Sequence, residues 1–460
     1  MNKLAISSHR LKSTSSFRFI RSRSRRNHRD GLTLIELLIA TGLTLLIIAA
    51  MIRAFKSSSE SISLGRSKMD MHNKFRVVVE TLRSDLQNAT RTPSPLSAKE
   101  DGYFELIEGE EVDAEHATED LSFIGDHDDI LAMTVRTNGE PFRGRFNGGF
   151  VESYVAEVVW WIQHDDTNGD GEADYDESLR LYRRVLLIRP TGIDLTALPV
   201  AQQTDILTYY ANNDVSVRPN GTGLATNSLA DLTNRANRFA HNPVLFPHEM
   251  FTGEPSIEPA SIFNRALTGV DEGFDLMLDN CVAFDLKVFD PTAEAFLPAE
   301  AGVSVGQVVG YDDPGFVDVV GAFPPASNGA AYSQVGGYVN LGYDPLAANT
   351  TNALGFGNER WFNNFAFENG YTFANNPATY CTWWNGYETD GLDQDGDSFF
   401  DEGNDGVDND NAGGVDDNLE RETRPPYAYP IRSLEARVRM IDKNTNQILQ
   451  KTVRESFVPN

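Results

Sequence analysis

An apolar run of 21 residues, Leu32 to Ile52, holds a single charged residue, Glu36, and constrains this chain more than any other feature. A run of this length spans a bilayer as one α-helix. A secretory signal peptide is cut after its apolar segment, whereas here the small residue Gly31 directly precedes the run. The sequence therefore predicts that cleavage after Gly31 removes only a leader and that the apolar helix stays in the protein as an anchor.

Glu36 makes this anchor unusual, because an ionised carboxylate inside a bilayer costs roughly 2 to 3 kcal/mol on insertion scales. A cut after Gly31 creates a new α-amine at Leu32, one helical turn away. That amine can pair with Glu36 within one chain or between neighbouring subunits. The alternative is a plain signal anchor in which the carboxylate is incidental.

The segment GLTLIEL, residues 31–37, resembles the type III signal of the type IV pilin and type II secretion pseudopilin superfamily. The resemblance implies that prepilin peptidase cuts after Gly31 and methylates the amine of Leu32. It also implies that Glu36 neutralises the amine of an adjacent subunit during assembly. Leu32 stands where the family usually has Phe or Met, and the leader is longer than usual.

The leader carries nine Lys or Arg and one acid, so the positive-inside rule keeps it cytoplasmic and exports the residues after Ile52. We expect a single-pass inner-membrane protein whose C-terminal head is periplasmic, or lies at a filament tip. Without the leader the net charge changes from −28 to −36, which disfavours nucleic acid as a partner and favours divalent cations and basic surfaces. Dense packing of so acidic a head against its own copies would be repulsive, so a minor subunit fits better than a repeating one.

Apolar residues spaced by threes and fours continue to Leu86, and no proline intervenes before Pro93, so one helix of about 60 residues is predicted. Alternating apolar and polar residues predict strands in the head at 130–136, 154–163, 178–188, 282–289 and 433–442. The predicted fold class is α+β: a long N-terminal helix, half transmembrane and half amphipathic, packed on a β-rich head with a large calcium-loop insertion. The predicted division is a leader (1–31), a transmembrane helix (32–52), an amphipathic extension (53–92), a pilin-like head (93–290), an inserted module (291–430) and C-terminal strands (431–460).

The inserted module follows from loop length, because about 140 residues between two predicted neighbouring strands exceed an ordinary connection. Aromatic residues are dense at 355–386, where they form either a small core of the insertion or a binding face. Residues 190–275 allow no prediction of their role.

The acidic segment between two of the predicted strands matches the pattern of an EF-hand calcium loop. Side-chain oxygens at alternate positions converge on one cation in such a loop, and a final glutamate closes the shell. The flanks read as strands, so the loop would sit in a hairpin, and a solvated hairpin turn is an equal alternative. The candidate ligands are Asp166, Asn168, Asp170, Glu172 and Glu177.

A tandem repeat of 15 residues provides the stronger case for calcium. Residues 390–402 recur at 405–417 with the same acidic positions, except that Ala412 replaces Asp397. The pattern resembles the short calcium repeats of thrombospondin type 3 and dockerin-like modules, and the alternative is a solvated acidic linker. Metal binding could supply the free energy that orders such a segment. The candidate ligands are Asp393, Asp395, Asp397, Asp401, Asp408, Asp410 and Asp416.

Signals of catalysis are weak. The histidines show no zinc-site spacing, and no GxSxG elbow or phosphate-binding glycine loop occurs. His127 with Asp128 and Asp129 could contribute to a metal site, although a surface loop is the favoured interpretation. Cys281 and Cys381 are the only cysteines, and they form either one disulfide or two buried thiols.

The Asp-Gly-rich hairpin, the RLYRR segment after it and the closing SLEARVRMID strand are most similar to the J-type minor pseudopilin or the W-type minor pilin. This resemblance implies a structural, non-enzymatic subunit that helps to initiate or cap a filament. Its partners would be prepilin peptidase, other pilins or pseudopilins, and the inner membrane. The alternative is a calcium-dependent adhesin or substrate-recognition head displayed on such a filament.

Overall fold

The computed structural model describes residues 33–91, 101–107, 124–165, 167, 177–234, 237–239, 267, 271, 273–297, 331–341, 379–382, 388–389, 391, 399–409, 414–416, 420 and 430–457. The chain divides into two units, Met1–Ser63 and Leu64–Asn460. The first unit contains the beginning of one long helix, and the second contains the rest of that helix and the strands that the structure describes.

Helix α1 runs from Leu34 to Gln87 without interruption. Its 54 residues correspond to about 81 Å at 1.5 Å per residue. In the first unit its apolar side chains are exposed, and its most apolar stretch, with a mean hydropathy of 2.4, has no buried part. A helix of this length and apolarity can cross a membrane, and the prediction of a long apolar N-terminal helix is confirmed.

The part of α1 that belongs to the second unit buries one face. The buried apolar residues are spaced by threes and fours, which places them on one stripe of the helix; they are Met71, Phe75, Val78, Leu82 and Leu86. Burial of such a side chain contributes about 1.5 to 3 kcal/mol relative to its exposure. The amphipathic pattern read from the sequence therefore marks the face that packs into the core.

The rest of the second unit is rich in β-structure, which confirms the α+β class. The strands are β1 (Phe104–Ile107), β2 (Ile130–Arg136), β3 (Phe142–Phe146), β4 (Gly149–Ser153), β5 (Val155–Asp165), β6 (Ser178–Leu187), β7 (Val217–Asn220), β8 (Gly223–Thr226), β9 (Leu276–Asp279), β10 (Cys281–Leu297), β11 (Ala331–Val339), β12 (Thr379–Cys381), β13 (Ser433–Asp442) and β14 (Gln447–Ser456). Two short helices, α2 (Val200–Thr204) and α3 (Ile206–Asn212), lie between β6 and β7.

Two antiparallel sheets organise the strands. The first has the order β12-β1-β2-β5-β6-β9 and the second the order β11-β10-β13-β14, with β3–β4 and β7–β8 as separate hairpins. The predicted hairpin around the acidic loop is confirmed, because β5 pairs with β6 from Ala156–Leu187 to Asp165–Ser178. The predicted neighbours β10 and β13 also pair.

The predicted boundary between head and insertion, at 290/291, falls inside β10. Two described strands of the 291–430 segment join the sheets: β11 pairs with β10, and β12 pairs with β1. These parts of the insertion therefore extend the same sheets as the head.

One core joins the buried face of α1 to both sheets. On β5 the side chains of Ala156, Val158, Trp160 and Ile162 enter this core, together with Phe284 and Leu286 of β10. The alternate β5 residues Val159 and Trp161 point to a second cluster on the opposite face of the first sheet. Both faces of the central strand β5 are consequently covered.

The second cluster gives a structural role to part of the 190–275 stretch, for which the sequence allowed no prediction. Its members from that stretch are Leu198, Tyr209, Tyr210, Val215, Val217, Leu232 and Phe239. They pack against side chains of the first sheet such as Ile130 and Leu186. The described residues of the 190–239 stretch thus provide an outer layer over this sheet.

A buried polar network joins this outer layer to the sheet. Glu157 on β5 accepts hydrogen bonds from the Tyr103 hydroxyl at 2.8 Å, the Ser216 hydroxyl at 2.6 Å and the Phe239 amide at 2.8 Å. Burial raises the pKa of Glu157, and these three donors oppose the shift by favouring the ionised form. The network positions the outer layer through directional bonds as well as apolar contact.

Asp85 fixes α1 to the first sheet. Its carboxylate is buried and accepts two bonds from the Arg183 guanidinium, both 2.7 Å, and one from the Trp160 indole at 2.9 Å. A bidentate pair of this kind is among the stronger side-chain interactions, and its geometry is specific. The pair sets the position of the helix relative to β5 and β6.

We expect the Asp85→Ala substitution to lower the free energy of unfolding by about 3 kcal/mol, because it leaves the Arg183 guanidinium without its bidentate partner. Denaturant unfolding of the detergent-solubilised chain measures this change. The control is Glu80→Ala on the same helix, whose ion pair with Arg83 is exposed and should be worth less than about 1 kcal/mol. Equal effects of the two substitutions would contradict the anchoring role.

Both cysteines are buried thiols that form no disulfide, so of the two alternatives the structure has the two buried thiols. Cys281 lies at the start of β10 and Cys381 at the end of β12. Burial raises the pKa of the Cys281 thiol to about 12, so little reactive thiolate is present near neutral pH.

We therefore expect N-ethylmaleimide to leave both cysteines unmodified in the native protein. After unfolding without any reductant, two adducts should form on each chain, and intact-mass spectrometry counts them. A chain that gains adducts only after reduction contains the disulfide instead.

Candidate functional site

The start of α1 has the geometry of a capping box. The Glu36 carboxylate accepts bonds from the Thr33 amide at 2.9 Å and the Thr33 hydroxyl at 3.0 Å. In return, the Glu36 amide donates to the Thr33 hydroxyl at 3.3 Å. This reciprocal arrangement satisfies donors that a helix N-terminus otherwise leaves open. Glu36 therefore has a local role in this chain; Gly31 and Leu32 lie outside the described residues.

The acidic hairpin loop is described only at its ends. Asp166, Asn168, Asp170 and Glu172 lie outside the described residues, so their predicted convergence stays a prediction. Glu177 is buried, and its carboxylate accepts bonds from the Thr167 amide at 2.7 Å and the Thr167 hydroxyl at 3.1 Å. The carboxylate that would complete a calcium shell thus draws the two ends of the loop together through hydrogen bonds.

An acidic cluster lies close to this hairpin. Asp126, Asp128 and Asp129 each offer a carboxylate oxygen, and these three atoms lie within 4.8 Å of one another. Asp126, His127 and Asp129 are buried, so the interpretation of this segment as a surface loop is wrong. Carboxylate oxygens are ligands suited to hard cations such as calcium or magnesium, and this grouping could hold one.

The cluster is buried because its segment lies along β10. The Gly125 amide donates to Val282 at 2.9 Å, and the Phe284 amide donates to the Asp126 carbonyl, also at 2.9 Å. Further along, the Leu286 amide donates to the Asp129 carboxylate at 2.6 Å. The segment binds an edge of the second sheet and continues directly into β2 of the first.

Two histidines connect this cluster to the hairpin. His164 at the end of β5 contacts the Glu177 carboxylate at 2.6 Å, and its ring stands perpendicular to that of His127 at 5.9 Å between centroids. The structure therefore brings together Glu177 and the 126–129 segment, which lie far apart in sequence. The pairing of β2 with β5, from Ile130–Trp161 onward, places them side by side. The spacing of motifs in the sequence does not show which strands pair, so it could not predict that these residues meet.

One hydrogen bond recurs at equivalent positions of the tandem acidic repeat. The Gly391 amide donates to the Asp401 carboxylate at 3.0 Å, and fifteen residues later the Gly406 amide donates to the Asp416 carboxylate at 2.8 Å. Asp401 and Asp416 both have φ near +55°, and the two glycines also have positive φ, where non-glycine residues are uncommon. The same bond thus joins residues ten positions apart in each repeat.

Of the candidate ligands in the repeat, Asp401, Asp408 and Asp416 are described, while Asp393, Asp395, Asp397 and Asp410 lie outside the described residues. Two of the described carboxylates accept the closing bonds, and Asp405 accepts bonds from the Val407 amide at 2.7 Å and the Asn409 side chain at 3.1 Å. These aspartates shape the loops, and each carboxylate has acceptor capacity beyond its loop bond for a cation.

A cleft of about 290 Å³ lies between the end of α1 and the first sheet. Glu80 and Ser84 of the helix and Asn88 just after it line the cleft together with Arg136 and Phe142. Asp85 and Arg183 also line the cleft, and their charged groups are bonded to each other. The cleft therefore presents a structural ion pair rather than a nucleophile with an adjacent base.

Comparisons with models of protein families, with curated proteins and with solved structures found no match to this chain.

If calcium occupies the repeat loops, it should raise the melting temperature of the full chain, because a ligand at 100 times its dissociation constant stabilises the folded state by about 2.7 kcal/mol. We expect Asp401→Asn to reduce this shift, since asparagine keeps an acceptor for Gly391 but removes a charge. Asp194→Asn, at an exposed helix cap outside the repeat, should leave the shift unchanged. Equal melting temperatures in calcium and in chelator would show that the repeat is merely solvated.

Proposed function

We propose that this chain is a minor subunit of the type IV pilin or type II secretion pseudopilin superfamily, which helps to initiate or cap a filament. The observation that carries the proposal is helix α1. Its apolar first part is exposed over the whole stretch that can span a membrane, and its later part packs into a β-rich core. One helix thus has both an anchor and a head-binding face.

The exposed apolar surface of α1 needs either lipid or other apolar helices around it, because such a surface is unfavourable in water. The helix of a pilin-type subunit occupies both environments in turn: the bilayer before assembly and a bundle of neighbouring N-terminal helices afterwards. The single carboxylate of this surface, Glu36, then faces the N-terminus of another subunit, where an amine can neutralise it.

Charge supports a minor rather than a repeating subunit. A mature chain starting at Leu32 would have a net charge of −36, and copies packed side by side along a filament would repel one another. A few copies at the tip avoid most of this repulsion. Processing by prepilin peptidase, insertion in the inner membrane and a periplasmic head belong to the same proposal, as does calcium in the acidic loops.

The capping box makes a sharp test of Glu36 possible. Glutamine can replace glutamate in a capping box but has no charge with which to neutralise an amine. If Glu36 pairs with a neighbouring N-terminus, both Glu36→Gln and Glu36→Ala should abolish incorporation into filaments, measured by immunoblotting of sheared or tip-enriched fractions. If the residue only caps α1, Glu36→Gln should assemble like the unchanged protein and Glu36→Ala should not.

Mass spectrometry of the membrane-extracted protein tests the processing step separately. The expected N-terminus is an N-methylated Leu32. An intact leader, or a cut after Ile52, would contradict the proposed function whatever the behaviour of the Glu36 variants.

A further inference from the structure

The cleft beside the end of α1 has walls that are fixed to each other. Residues of α1 form one wall, and the end of β2 forms another. The Arg136 amide donates to the Asn88 carbonyl at 2.9 Å, and the Thr90 amide donates to the Thr134 carbonyl at 2.8 Å. These bonds join the segment after α1 directly to β2. The cleft is therefore formed before a ligand enters, which lowers the cost of binding.

Three of the four charged side chains that line the cleft are bonded to an opposite charge. Asp85 and Arg183 form the bidentate pair described above, and Glu80 pairs with Arg83 at 3.6 Å. The fourth, Arg136, makes no side-chain hydrogen bond or ion pair within the part of the chain that the structure describes. The cleft thus contains one guanidinium whose charge no described carboxylate compensates.

Two hydroxyl groups provide further donors beside this guanidinium. The Ser84 hydroxyl accepts a long bond, 3.4 Å, from the Asn88 side chain and keeps its own hydrogen to donate. The Thr81 hydroxyl has no hydrogen-bond partner among the described residues. Two hydroxyls and a guanidinium favour a ligand with several acceptor atoms. The half-buried ring of Phe142 adds an apolar side to the same cleft.

Shape and charge select a carboxylate from the possible acceptors. The planar fork of a guanidinium matches a carboxylate with two parallel hydrogen bonds. The chain has a net charge of −28, which repels a polyanion more strongly than a ligand with one negative charge. The volume of about 290 Å³ lies at the lower end for ligand pockets, roughly 300 to 1,000 Å³. A fitting ligand is consequently small, or it is the end of a chain.

We propose that this cleft binds a single carboxylate that is attached to a small apolar group. Arg136 is the bidentate partner of the carboxylate, Ser84 and Thr81 donate to it, and Phe142 contacts the apolar group. The C-terminal residue of a peptide and a free small carboxylic acid both have this chemistry. The inference rests on the cleft alone and does not depend on the proposed function.

The test uses the full-length chain in neutral detergent and two rhodamine-labelled peptides, Gly-Ser-Gly-Ala-Phe with a free C-terminal carboxylate and the same peptide with a C-terminal amide. Fluorescence anisotropy measures both dissociation constants, and we expect the acid to bind at least tenfold more tightly than the amide. Equal binding of the two peptides, or no binding of either, would overturn the proposal.

Competition with hydrocinnamate, a free acid with one aromatic ring, distinguishes the two sources of the carboxylate. Displacement of the peptide by hydrocinnamate and not by its amide shows that the cleft accepts small acids. Binding of the peptide without such displacement assigns the cleft to a chain terminus. Inorganic phosphate that displaces the peptide as well as hydrocinnamate does would overturn the choice of a carboxylate.

The variant Arg136→Gln keeps a polar side chain and removes the charge, so it should weaken binding of the acid peptide at least tenfold and leave the amide unchanged. The matched control, Arg432→Gln, removes the charge of another exposed arginine outside the cleft and should bind like the unchanged protein. Both variants should keep the melting temperature of the unchanged protein. Equal loss in both variants, or full binding by Arg136→Gln, would contradict the role of Arg136.

Discussion

Burial of one face of α1 against two sheets is the contact on which the head depends. Phe75, Val78 and Leu82 lie in the same core as inward-facing residues of both sheets, so the helix covers apolar surface that neither sheet covers for the other. A sheet with one uncovered apolar face is not stable in water. The Asp85–Arg183 pair fixes the orientation of α1 on the first sheet, because apolar burial alone is non-directional and allows a helix to slide or rotate.

The same contact explains why a large part of the fold could be predicted from sequence. The spacing of Phe75, Val78 and Leu82 reflects the 3.6-residue period of a helix with one buried face, and alternation at 130–136 and 433–442 reflects the two faces of a strand. Both predicted strands coincide with β2 and β13. Periodicity is informative wherever one side of an element meets the core and the other meets water.

Periodicity fails where both sides are buried or where polar groups make the contacts. The described residues of the 190–239 stretch form the outer layer over the first sheet as short irregular segments. Hydrogen bonds such as those that Glu157 accepts fix their positions. Arg238 is fully buried, where it pairs with Glu105 at 2.9 Å and stacks over the Tyr103 ring. In sequence this arginine looks like a surface residue, because the partner that permits its burial is more than a hundred positions away.

The candidate site residues also differ in how far the sequence predicts their contacts. Thr33 and Glu36 satisfy the capping-box spacing in the sequence itself, while the position of Glu36 in an apolar segment predicts charge pairing between subunits. The two roles are compatible: the cap uses local donors that every copy of the chain carries, whereas pairing with an amine needs a neighbour. Asp126 and Asp129 show the opposite case, since their acidic segment reads as a loop in the sequence and is buried because it bonds to β10 just before it enters β2.

The acidic repeat shows how one residue type can serve two purposes. Asp401 and Asp416 each accept the backbone amide of the glycine ten positions earlier, and at Asp401 the two carboxylate oxygens share this amide at 3.0 and 3.1 Å. Each carboxylate oxygen keeps a lone pair beyond this bond, and a cation can use that remaining acceptor capacity. A sequence of similar charge without the 15-residue period would keep the carboxylates and lose the bond that recurs at equivalent positions of the two repeats.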